Sequence, residues 1–109
     1  MLDKKEARKI AIEYSGSVCA TLPVDKVVLF GSFVNGTPHE WSDIDVGIII
    51  NDFKGNWYES EVELYGLRRD ISFDIEPHLL DENNDPSGFC EHVLKTGEII
   101  YEKPSERNI

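Results

Sequence analysis

The chain has 109 residues, which suits one small domain spanning 1–109 and leaves no room for a separate substrate domain. Its 21 acidic against 11 basic residues give a formal net charge of -10, which repels a nucleic-acid backbone and argues against long DNA or RNA as a ligand while favouring divalent cations. Cys19 and Cys90 are too distant for a Cys-x-x-Cys motif, the first residues lack a signal-peptide apolar run, and no segment nears the ~20 apolar residues of a membrane span, so a cytoplasmic protein is expected.

Residues 3 to 15 carry Ala7, Ile10, Ala11 and Tyr14 at helical spacing, with Asp3 and Glu6 arranged as a capping box and Gly16 placed as a left-handed cap. "KVVLF", 26 to 30, reads as a buried strand ended by Gly31. "DIDVGIII", 43 to 50, alternates and then turns continuously apolar, as a central strand does when only its leading end is open on one face. After the turn-rich stretch 51 to 56, residues 57 to 69 predict a helix ending in Arg68 and Arg69. Ile71, Phe73 and Ile75 alternate with Asp70, Ser72, Asp74 and Glu76, which predicts a strand closed by Pro77. A last helix from Pro86 to Thr96 is capped by Gly97, and "EIIYE" follows as a closing strand or extended tail. This order predicts an α+β domain, a small mixed sheet with helices packed on it.

Under the two-residue strand period, Asp43 and Asp45 share one face. Like charges so close raise each other's pKa, and a divalent cation reverses that cost. Mg²⁺ takes oxygen ligands and is commonly held by one or two carboxylates with phosphate oxygens, and a second metal would require a third carboxylate. Asp74 and Glu76 both lie on the polar face of the third predicted strand and either could supply it. Gly31 lets backbone approach a ligand and Ser32 adds a hydroxyl, so the pair suits a phosphate. His39, His78 and His92 show no metal-ligand spacing among themselves and are read as a loop residue, a post-strand residue and a helix-face residue. Trp41 is read either as a packing anchor or as a stacking surface for a base.

The stretch "GSFVNGTPHEWSDIDVGI" resembles the G-S-x10-D-x-D signature of the polymerase-β-like nucleotidyltransferases, and the chain's length resembles their minimal nucleotidyltransferase branch. "SFDIEPHLL" is similar to the strand that bears the family's third carboxylate, and "HVLKTGEIIYE" to its usual end, so the likeness runs from about residue 4 to 103. The chain departs from the pattern at Val34 and Asn35, where many members have Ala and Arg before the loop's second glycine, here Gly36.

The resemblance implies a polymerase-β-like fold, Asp43 and Asp45 as Mg²⁺ ligands, Asp74 in preference to Glu76 as third ligand of a two-metal site, and Gly31 with Ser32 on the triphosphate. It implies transfer of a nucleoside monophosphate, AMP from ATP, to a hydroxyl acceptor. Minimal members often serve as antitoxins, so the implied acceptor is a tyrosine of a helical toxin encoded nearby, with a second copy of the chain as the other candidate to complete the acceptor site. The competing expectation is a non-catalytic module that keeps the acidic site and acts by masking its partner. A third is a metal-binding or phosphate-binding domain outside this family.

Overall fold

The computed structural model describes residues 3–35 and 43–104. Helix α1 spans Lys4–Thr21, and its N-cap Asp3 accepts the Glu6 N–H at 2.8 Å, as the capping pattern predicts. The helix does not stop at Gly16. Its apolar stripe continues through Ala7, Ala11, Tyr14 and Val18, all fully buried, and seating Val18 outweighs the roughly 1 kcal/mol that a mid-helix glycine costs.

Strand β1 (Lys26–Phe30) leads through Gly31 into the single turn α2 (Ser32–Asn35). Strand β2 (Ile44–Ile49) is followed by α3 (Trp57–Leu67), whose N-cap Asn56 accepts the Glu59 N–H, and by a 3-10 turn over Arg68–Asp70. Strand β3 covers Ile75–Leu80, α4 covers Phe89–Thr96, and β4 covers Glu98–Glu102. The strands form one mixed sheet in the order β3-β2-β1-β4, parallel between β2 and β3 and antiparallel elsewhere.

The third strand departs from its expected limits. It starts at Ile75 and runs through Pro77. β3 is an edge strand paired with β2 alone, and the carbonyls of Asp74 and Leu80 accept from Ile44 and Ile50. Even-numbered residues therefore turn their backbone groups toward β2, and the missing N–H of Pro77 faces outward, where no ladder bond is lost. Residues 71 to 74 form the preceding turn instead, tied down by the Arg68 guanidinium, which donates to the carbonyls of Phe73 (3.3 Å) and Ile75 (2.8 Å).

Strand alternation sorts side chains into two cores. Val27, Leu29, Ile44, Val46, Ile48, Ile75 and Leu79 face α1 and α3, where buried Tyr14 donates its hydroxyl to the Leu64 carbonyl at 2.7 Å. Val28 and Ile49 face α4 through Cys90 and Val93, with Phe30, Leu80 and Leu94 at the margin. No described helix is long and apolar enough to cross a membrane.

A candidate metal and nucleotide site at the strand ends

Asp45 stands opposite Phe30 of β1 on one side and Glu76 of β3 on the other, so all three point to the face that carries α4. Phe30 runs directly into Gly31, whose φ of 85° lies in the left-handed region. A Cβ there would run into the Asp45 carboxylate, reaching its Cγ at 3.2 Å. Glycine is thus needed twice over, for the backbone turn and for its closeness to the acidic side chain. The Gly31 carbonyl accepts the Val34 N–H at 3.1 Å, which folds Ser32 and the single turn α2 back beside the strand end.

Asp43 is exposed just ahead of β2, with its carboxyl close enough to that of Glu76 to raise the Glu76 pKa. Burial pushes Glu76 above the usual carboxylate range, and the Asp43 carboxyl and the nearby Asp45 charge add to the shift, while His78 opposes it. His78 brings its Nε2 to 3.1 Å from Asp45 Oδ1. One ligand atom from each of Asp45, Glu76 and His78 lies within 4.8 Å of the others, the one such cluster among the described residues. The imidazole is held edge-on to Phe30, with ring centroids 5.0 Å apart, and lies 6.1 Å from Phe89. Its register partner is Gly47, and the space a Cβ there would take is filled by Leu80 and Val93, with the Phe30 ring next to them.

Asp43, Asp45, Gly31 and Ser32 therefore gather at one sheet end. Asp74 does not join the cluster: it is exposed in the turn before β3, where its backbone N–H donates to Ser72 Oγ and its carbonyl accepts from Ile44. Its neighbour on the same face, Glu76, occupies the position beside Asp45. His78 is the member that sequence spacing did not flag, because closing the strand at Pro77 left it outside the sheet. Gly36, His39 and Trp41 lie outside the described residues.

The donor set fits a divalent cation. Carboxylates close enough to share a proton, one of them held above its normal range, are relieved when a doubly charged ion replaces that proton.

The family model of polymerase beta nucleotidyltransferases matches residues 17–106. The chain belongs to this family. Among solved structures, a Sulfolobus solfataricus protein assigned as a nucleotidyltransferase shares 23% identity at a TM-score of 0.68, over 92% of this chain and 84% of that one. A toxin–antitoxin crystallised with AMP-PNP shares 23% identity at a TM-score of 0.60, over 84% and 73% of the two chains. A variant of the MntA-HpeT toxin–antitoxin shares 25% identity at a TM-score of 0.61, over 84% and 71%. No curated protein matches the chain with significance. Family membership supports a transferase, and the mixed four-stranded sheet is the fold these neighbours share.

Proposed function

We propose that the protein transfers AMP from ATP to a hydroxyl of a partner protein in a Mg²⁺-dependent reaction, and that the partner is a toxin which this modification silences. The observation that carries the reading is the meeting of Gly31 with Asp45, and of Asp45 with Glu76, across three adjacent strands. The adenine nucleotide is supported by a toxin–antitoxin neighbour crystallised with AMP-PNP, and the protein partner by that complex together with MntA-HpeT.

In this reading Asp43, Asp45 and Glu76 hold the cation, while Gly31 and Ser32 receive the triphosphate. Bound Mg²⁺ supplies positive charge for phosphate oxygens and favours ionisation of the attacking hydroxyl. The acceptor oxygen bonds to the α-phosphorus as the bond to pyrophosphate breaks, and the hydroxyl proton passes to a carboxylate of the cluster. The chain forms no covalent intermediate, so its contribution is placement and charge compensation.

The test is incubation with Mg²⁺, α-labelled ATP and the product of the adjacent gene. Label on that product supports the transferase, and a tight complex without label supports the masking module. Asp45→Asn should lower transfer on the order of 10²–10³-fold with the fold intact, and equal rates would overturn the site assignment. Comparing Glu76→Gln with Asp74→Asn assigns the third ligand, with the larger loss expected at Glu76.

A further inference from the structure

The site differs from an all-oxygen magnesium site in one respect. An imidazole nitrogen stands among its carboxylates, on the same strand face and within the same 4.8 Å cluster as Asp45 and Glu76. From this geometry we infer that His78 is a nitrogen donor to the cation position and tilts the site toward Mn²⁺ or Co²⁺ over Mg²⁺. The inference rests on the proposed cation site and adds to it a residue that sets metal preference.

Three observations carry it. First, adjacent donors around an octahedral ion with bonds of about 2.1 Å lie about 3.0 Å apart. His78 Nε2 and Asp45 Oδ1 are hydrogen-bonded at 3.1 Å, close to that edge, so a cation can take the place of the bridging proton with little movement of either group. Second, the ring is already positioned. It leans edge-on against Phe30, the Phe89 ring packs against that same Phe30 and lies 6.1 Å from the imidazole, and the opposite residue on β2 is Gly47. Little side-chain entropy remains to be lost on binding. Third, Mg²⁺ strongly prefers oxygen and gains little from an imidazole, whereas affinity for nitrogen donors rises from Mn²⁺ to Co²⁺ along the divalent series. A single neutral nitrogen also adds a ligand without adding to the repulsion among Asp43, Asp45 and Glu76.

The measurement pairs calorimetric titration of Mg²⁺, Mn²⁺ and Co²⁺ with pulsed electron paramagnetic resonance of the Mn²⁺-loaded protein. The parent should show nitrogen coupling to the bound Mn²⁺, and His78→Gln should lose it. The same substitution should weaken Mn²⁺ and Co²⁺ by about 10-fold or more while changing Mg²⁺ by less than about 3-fold. Absence of nitrogen coupling in the parent, or equal weakening of all three metals by His78→Gln, overturns the inference. The parent spectrum stands even if the variant folds poorly. Asp45→Asn separates this inference from the reading beneath it: loss of all three metals upholds the carboxylate site whatever His78 does, and retention of all three overturns both.

Discussion

Gly31 has a positive φ, as does Gly55 at 108°, but only Gly31 would drive a Cβ into the site, while Gly55 has open space around it. The two glycines therefore separate backbone strain from steric damage at Asp45. An alanine in left-handed geometry costs about 1–2 kcal/mol, so Gly31→Ala and Gly55→Ala should both lower the denaturation midpoint. Only Gly31→Ala should also displace the Asp45 carboxylate, and misplacement of about 1 Å at a reacting centre costs on the order of 100-fold in rate. Transfer assays corrected for folded fraction check this: the expected result is a loss of that order for Gly31→Ala and a parental rate for Gly55→Ala. The placing of the Gly-Ser pair and both aspartates at one sheet end was legible as sequence because each carries its signal locally. Gly31 ends an apolar run, and Asp43 and Asp45 flank a single apolar residue. The position of His78 was not legible, since its nearness to Asp45 depends on how β3 is set against β2, a fact of register and not of composition.

The same dependence explains the displaced elements. Pro77 reads locally as a strand terminator, but β3 takes the edge of the sheet and can spare that N–H. Gly16 reads locally as a cap, but α1 continues because Val18 extends its buried stripe onto the sheet. The connection after β3 supplies a fold-level contact that no local pattern announced. Asp81, buried, accepts the backbone N–H groups of Phe53 at 3.0 Å, Asp52 at 3.2 Å and Asn83 at 2.9 Å, clipping the turn after β2 to the turn after β3. Those donors, the Phe53 N–H foremost, hold its carboxyl below the ordinary carboxylate range. A depressed folded-state pKa stabilises fully above the unfolded value of about 3.9, and the contribution vanishes as pH falls through the folded value. Asp81→Asn should therefore cost roughly 1–3 kcal/mol near neutrality, and the gap to the parent should shrink below about pH 4. Urea melts from pH 7 down to pH 2.5 check it, and a gap constant over that range would show that the charge on Asp81 contributes nothing.

The sheet divides the whole molecule into a thick side, where α1 and α3 cover one face, and a thin side, where α4 covers part of the other and leaves the acidic site beyond its edge. Stability and site geometry should therefore respond to different residues. Leu64 is fully buried on the thick side, across the sheet from Asp45, Glu76 and His78, so Leu64→Ala should cost about 2–5 kcal/mol while the metal affinity and transfer rate of the folded fraction hold at parental values. Val93, on the thin side, packs with Val28 and Ile49 in the small core whose margin includes Phe30, the ring that braces His78. Truncating it leaves space into which Phe30 can shift. Val93→Ala should cost less stability than Leu64→Ala, about 1–3 kcal/mol, yet weaken Mn²⁺ binding in the folded fraction by a few-fold if His78 is the nitrogen donor proposed above, because it loosens the wall behind that ring. Denaturant melts set against calorimetric Mn²⁺ titrations measure both quantities. The ordering is the discriminating result: larger stability loss with intact metal affinity at Leu64, and smaller stability loss with impaired metal affinity at Val93. If the two variants instead lost metal affinity in proportion to their stability, the thin-side core would have no special part in holding the site.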